Sequence, residues 1–261
     1  MNSIIHRTFK ALTALLVVAV LAACGSSSTV DPFKPTRVIG LGDAYNDTGE
    51  TGSTPATVRG TGQVSTVVGQ MAALYGASTV VSKARSDYAG TADLMTQINQ
   101  LGGLSATTDL VVITAGTEEL KAGVSGATFL NSLKSALDAL KAKGAKYIVI
   151  MEVVDITTAA SPDQSTLDFN TAVKAGLNAY TDVARYGNIN RPSAYFTYWG
   201  TTGATPYCVS PGSLTGCALT DAGNQTGDVA TYFLADNQHP TPAGNQWIGT
   251  QLYNVTGGGW R

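Results

Sequence analysis

Charge is scarce in this chain of 261 residues: Lys, Arg, Asp and Glu make up 13% of it, about half the usual share. The 16 basic and 18 acidic residues nearly cancel, the net charge is −2, and no basic cluster stands out. A nucleic-acid partner is therefore not expected, since no run of basic residues along the sequence offers a footprint for nucleic acid. Histidine is scarcer still, two in all, of which only His239 lies beyond the first turns of the chain. With three cysteines besides, the donors for a metal site of the His/Cys kind are few, and neither a metal nor another cofactor is expected. Long apolar runs are missing as well: the one near the N-terminus stops at about 13 residues, short of the ~20 that cross a bilayer as a helix. What is abundant is Gly, Thr, Ser and Asn for the polar surface, and 44% hydrophobic residues, enough for a folded chain with a sizeable core.

The short run has a recognisable setting. Arg7 and Lys10 precede it, and it extends from Ala11 to Ala23 broken only by Thr13, the layout of a signal-peptide core. It ends in Leu21-Ala22-Ala23-Cys24, which resembles the lipobox of bacterial lipoproteins; an ordinary secretory signal cut at a nearby alanine is the alternative. The resemblance implies that residues 1–23 are removed and that Cys24 is acylated, with membrane lipid as its partner. Several acyl chains on one cysteine anchor stably where a single chain does not. Gly25 carries no acidic retention signal, which points to the outer membrane of a bacterial cell envelope. Residues 24–36, with Gly25-Ser26-Ser27-Ser28 and two prolines, are expected to form a tether, and residues 37–261 one domain.

In an exported chain with Cys24 given to lipid, Cys208 and Cys217 are left to pair. They lie in a loop rich in Pro, Gly and Ser, and a disulfide there would pin a surface insertion; metal binding is the alternative, poor in neighbouring ligands.

Periodicity predicts strands at Arg37–Leu41, Ser78–Ser82, Asp109–Ala115, Lys146–Glu152 and Ala194–Tyr198. Helical spacing covers Val64–Tyr75, Thr91–Leu101, Gly126–Lys143 and Ser165–Tyr186, and a last helix starts at Pro242 and runs to Asn254. Near-continuous apolar strands alternating with helices predict an α/β fold, a parallel sheet of about five strands covered on both faces. Sites in such folds form in the loops beyond the carboxyl ends of the strands.

The first of those loops is Gly42-Asp43-Ala44-Tyr45-Asn46-Asp47-Thr48-Gly49. It resembles the first signature block of the GDSL, or SGNH, hydrolases, Gly-Asp-Ser-Leu-Ser-Asp-Thr-Gly. Asp236-Asn237-Gln238-His239-Pro240-Thr241-Pro242-Ala243-Gly244 resembles the last block, Asp-x-x-His-Pro-Thr-x-x-Gly. Between them, Asp87-Tyr88-Ala89-Gly90-Thr91-Ala92 looks like the second block and Leu110 to Leu120 like the third, which normally carries Gly-Asn-Asp. Phe169-Asn170 with Gly176-Leu177 is similar to the family's fourth helix. The resemblance implies a three-layer α/β/α, flavodoxin-like fold and an ester hydrolase. Its histidine, here His239, is the base, and its aspartate, here Asp236, orients the imidazole.

Two positions depart from the family. The nucleophilic serine is replaced by Ala44, whose methyl cannot attack a carbonyl. Of the oxyanion donors, which would be the N–H of Ala44, a second-block N–H and a third-block side chain, the last falls on Thr117 in place of asparagine. The second falls on Gly90 or Thr91, because the block is one residue short. Tyr45, with its reference pKa near 10, and Thr48, four residues beyond Ala44, are poor substitutes for the serine; water activated by His239 is the more plausible rescue. The expectation is a degenerate esterase that binds an acyl-ester or glycan ligand, with residual hydrolysis as the alternative; the oligomeric state is open. Plainer roles stand beside these. Asp43 and Asp47 could organise their turn and Thr241 cap the final helix. Glu118 and Glu119 are expected to face solvent, and Trp199 and Tyr207 to pack or to line a pocket.

Overall fold

The central strands of the main sheet are apolar on both faces, and that dictates the layering. In the computed structural model, which describes residues 33–62, 66–156, 163–189, 205–208, 217–256 and 260, five strands form one parallel sheet. They are β1 (Arg37–Gly42), β3 (Thr79–Ser82), β4 (Asp109–Thr114), β5 (Tyr147–Met151) and β6 (Ala184–Gly187), in the order β3-β1-β4-β5-β6. Successive residues of a strand point to opposite faces. Ile39, Leu41, Val111, Ile113, Ile148 and Ile150 therefore enter one core, and Val38, Leu110, Val112, Val149 and Met151 the other.

The first core is closed by α2 (Thr91–Asn99), α4 (Gly126–Ala142) and α5 (Gln164–Gly176), through residues such as Leu94, Leu133, Leu137 and Phe169. The second is closed by α1 (Val67–Tyr75) and α6 (Pro242–Thr256), through Val68, Met71, Ile248 and Leu252. A short helix, α3 (Thr117–Lys121), follows β4, and β2 (Val58–Arg59) pairs in parallel with β7 (Cys217–Ala218) as a small second sheet. This is the three-layer α/β/α fold with a five-stranded parallel sheet.

One expected helix is shorter than its periodicity suggests. Helical spacing continues to Tyr186, but α5 ends at Gly176 and a 3-10 turn (Asn178–Tyr180) leads into β6. A side chain at Gly176 would overlap Leu130, its Cβ falling 1.9 Å from Cδ2 of that residue, so the helix comes very close to α4 there. β6 thus takes its place beside β5 within a segment predicted as helix, and the expected strand Ala194–Tyr198 lies outside the described residues. The helix expected over Val64–Tyr75 is seen from Val67, residues 64 and 65 lying outside the described residues, and the ends of the other elements agree with the expected bounds within two residues.

Both ends of the described chain meet at the amino ends of the strands. Phe33 stacks on Tyr147 with ring centroids 3.6 Å apart, and Trp260 meets Tyr147 edge-on at 5.0 Å. The carboxyl ends lie opposite. There the chain crosses from β1 to β3 on one side and returns to β4 on the other, so the topological switch point, where ligands bind in open α/β sheets, falls between β1 and β4.

Candidate active site

The turn after β1 can be made only with glycine at its start. Gly42 has φ +105° and lies so close to β4 that a Cβ would fall 1.7 Å from the Thr114 carbonyl oxygen; the next N–H, of Asp43, donates to that oxygen at 2.8 Å. Asp43 then caps a 3-10 turn, Ala44–Asn46, its Oδ1 accepting the Tyr45 N–H at 3.2 Å. Ala44 is half-buried at the head of this turn, directly beyond the end of β1.

Buried amides fix the turn from below. Asn46, with no solvent exposure, donates to the carbonyls of Leu41 and Val112 and accepts the Val68 N–H. Gln97 grips Gly42 at both its N–H and its carbonyl. Neither residue stood out in the sequence. Gln97 did leave a signal there, a lone amide among Leu94, Ile98 and Leu101 on the apolar side of a helix. Asp47 has the structural role expected of it: Oδ2 accepts the Ser86 N–H (2.8 Å) and hydroxyl (2.6 Å), and Oδ1 accepts the Gly49 N–H and the Ser53 hydroxyl.

In the last block, His239 and Asp236 are both buried, and His239 Nδ1 lies 2.7 Å from Asp236 Oδ2. Asp236 Oδ1 accepts the N–H groups of Gln238 and His239, each at 2.7 Å. Burial works against the charge of Asp236, but the His239 hydrogen bond and charge and these two N–H groups outweigh it and hold the carboxyl below its usual range. Asp236 is therefore ionised and positioned to accept the Nδ1–H of the imidazole, which leaves Nε2 as the nitrogen that could take a proton from a reacting group. Thr241 closes the segment as a cap, its Oγ1 accepting the Gly244 N–H at 3.1 Å.

The same segment is braced by the small sheet. Cys208 and Cys217 form a disulfide, with Cα atoms 6.1 Å apart. The N–H groups of Tyr207 and Cys208 donate to the carbonyls of Leu234 and Ala235, immediately before Asp236. Thr57, next to β2, donates through its hydroxyl to the Pro240 carbonyl at 2.9 Å, immediately after His239. Tyr207 packs in this minor core, edge-on to Tyr232 at 5.4 Å; Trp199 lies outside the described residues.

The third-block loop holds a departure from expectation. Glu119 does not face solvent: it is 5% exposed, its Oε2 accepts the Gly116 N–H at 2.9 Å and its Oε1 the Tyr88 hydroxyl at 2.8 Å. The cause is local, because Glu119 is the third residue of α3 and reaches back to its N-terminus, as acidic side chains at that position do. Glu118 is half-buried and pairs with Lys121, which also donates to Gln238 beside His239. Thr117 is the first residue of α3 and half-buried. Gly90 precedes α2 with φ +150°, and a Cβ there would stand 3.8 Å from Glu119 Oε1. Gly90, Thr91 and Glu119 share the wall of a cleft of about 400 Å³ with Ala92, Val124 and Phe129.

Asp43, Glu119 and His239 thus lie within electrostatic reach of one another. Burial, aided by the charge of Glu119, pushes the Asp43 carboxyl up to about 7 against the pull of Thr114, Tyr45 and His239. Burial likewise pushes up the Tyr45 phenol, and the nearby carboxylates add to it. Tyr45 is therefore a neutral, buried side chain and no activated nucleophile, and Thr48 is exposed. Among the described residues no three His, Cys, Asp or Glu side chains converge as a metal site.

Comparison with known proteins identifies the fold and the family. The structure is similar to a lipolytic protein of the G-D-S-L family from Veillonella parvula (12% identity, 84% of this chain and 97% of that one, TM-score 0.53). It is similar also to a putative GDSL-like lipase from Parabacteroides merdae (16%, 87% and 98%, 0.54) and to the acetylxylan esterase Axe2 from Geobacillus stearothermophilus (16%, 87% and 97%, 0.51). At such identities the likeness shows the fold alone, and no curated protein sequence matches the chain. The model of the family described as GDSL-like Lipase/Acylhydrolase matches residues 38–252, a span that includes the turn at Asp43-Ala44 and the Asp236–His239 pair, and the chain belongs to that family.

Proposed function

We propose that the chain is a degenerate member of its family, a lipid-anchored envelope protein that binds an acyl-ester or glycan ligand in the inherited cleft and does not turn it over through an acyl-enzyme. The observation that carries this reading is a methyl group, at Ala44, where the family has its serine, in a chain that keeps a complete and buried Asp236–His239 pair. The base and its orienting carboxylate remain, while the group they would activate is gone. Loss of the serine from a Ser-His-Asp triad costs on the order of 10⁶-fold in kcat, and neither Tyr45 nor Thr48 is placed or activated to replace it. The ligand class follows from the family, and one protein of like fold is an acetylxylan esterase, whose substrate joins an acyl group to a glycan. The anchoring rests on the lipobox-like Leu21-Ala22-Ala23-Cys24, and Gly25 supports the outer membrane as its destination.

A second reading, hydrolysis by water held at His239 Nε2, has the intact pair in its favour. Turnover of short-chain acyl esters by wild type, Ala44→Ser and His239→Ala separates the two. Negligible wild-type turnover and a gain in Ala44→Ser are expected. Wild-type turnover abolished by His239→Ala would establish the second reading instead.

A further inference from the structure

The two ends of the sheet differ in charge. At the carboxyl ends, around the cleft, stand Asp43, Glu118, Glu119 and Asp236, and the cations there, Lys83, Arg85 and Lys121, are paired with Glu50, Asp87 and Glu118. The amino ends are basic. Lys34 precedes β1, Arg37 begins it, Lys146 precedes β5 and Arg185 is the second residue of β6. Helix α4, which starts beside the cleft, ends here with Lys141 in its last turn and Lys143 just after it. Among the described residues the carboxylates at this end are fewer: Asp109, paired with Arg37; Asp182, paired with Lys141; and Asp138, which accepts the Tyr180 hydroxyl. Lys34, Lys141 and Lys146 are exposed.

Apolar and aromatic groups accompany these cations. Phe33 and Tyr147 stack at this end, the Lys146 ammonium stands 5.6 Å from the Tyr147 ring centre, and Arg185 lies over the Trp260 ring at 4.5 Å. Leu74 and Val255, in the last turns of α1 and α6, are 37% and 40% exposed. The chain outside the described residues, 1–32, joins the domain at Phe33, on this face.

We propose that this face docks on anionic phospholipid headgroups and holds the cleft away from the bilayer. Charge complementarity selects the partner. Lys and Arg beside an anionic leaflet are attracted individually, while the acidic cleft end is repelled, so a chain with a net charge of only −2 still has a preferred orientation. A six-residue strand is about 20 Å long, roughly twice the screening length of ~10 Å at 0.1 M salt, so each end meets the membrane field almost independently. The point of chain entry adds to this: residues 24–32 can span at most about 30 Å, which keeps a face joined at Phe33 close to any bilayer that holds Cys24. The docking itself needs no lipid on Cys24 and no ligand in the cleft, so it stands or falls apart from the proposed function.

The test is co-sedimentation of the chain from Gly25 onward, which contains all of the compact unit Phe33–Trp260, with vesicles of phosphatidylcholine alone or mixed with phosphatidylglycerol. Binding only to the mixed vesicles, weakened by salt, is expected. Lys34→Gln and Lys146→Gln should each lower the affinity roughly fivefold and together about 25-fold, whereas Lys83→Gln, beyond the carboxyl end of β3, should leave it unchanged. Equal binding to both kinds of vesicle, no binding to either, or indifference to the double substitution would overturn the proposal. So would a dimer in light scattering that the double substitution dissociates, since the face would then pair copies of the chain.

Discussion

Gln97 holds Gly42 by both ends of its amide: Oε1 accepts the glycine N–H at 2.6 Å and Nε2 donates to the glycine carbonyl at 2.9 Å. Gln97 is 2% exposed, so no water replaces either bond if the side chain is cut back. Gln97→Leu should therefore cost about 2–4 kcal/mol, the penalty for two orphaned backbone groups, seen as a lower midpoint in urea with an unchanged m-value. Gln97→Glu keeps the acceptor but loses the donor and should fall between the two.

The disulfide should matter most where it braces the Asp236–His239 segment. Its sequence separation of 9 corresponds to a stabilisation of about 2.5 kcal/mol in the chain-entropy account. The double substitution Cys208→Ser, Cys217→Ser should lower stability by that order. In hydrogen exchange, residues 234–240 should lose protection before the strands of the main sheet do.

Stability should also carry the mark of Asp43. Its carboxyl, at about 7 in the folded chain against ~3.9 unfolded, binds a proton more tightly when folded. The unfolded chain therefore releases its proton first as pH rises, and stability falls between about pH 4 and 7. Asp43→Asn should remove this contribution to the decline, on the order of 4 kcal/mol, in denaturation curves across that range. Glu152, also pushed up to about 7 by burial, contributes with the same sign, so Glu152→Gln should flatten what remains. Asp236 acts oppositely: held low, it stabilises at neutral pH, and that contribution is lost on acidification.

Much of the fold was legible because the strands announce themselves. Runs such as Leu110-Val111-Val112-Ile113 are apolar at every position, which only a strand covered on both faces requires, and the glycines at 42, 90 and 116 mark the turns beyond them. β6 was hidden because Ala184, Arg185, Tyr186 and Gly187 carry no such run, and the spacing of the preceding helix continues through them. At the site, the motifs located Ala44, Asp236 and His239, and cysteine arithmetic located the disulfide. Glu119 reads as solvent-facing in the sequence because a carboxylate beside another carboxylate suggests exposure. Its burial comes from the Tyr88 hydroxyl, 31 residues away, and from a helix too short to show in periodicity.

The central claim is that the cleft retains a working base but no nucleophile. Intact-mass measurement after treatment with an alkyl fluorophosphonate, which adds to a base-activated serine, tests it most directly. No adduct on wild type, one on Ala44→Ser, and none when His239→Ala is added to Ala44→Ser is the expected result. An adduct on the wild-type chain that disappears in His239→Ala would contradict it, for it would reveal a nucleophile in the cleft that Ala44 does not supply.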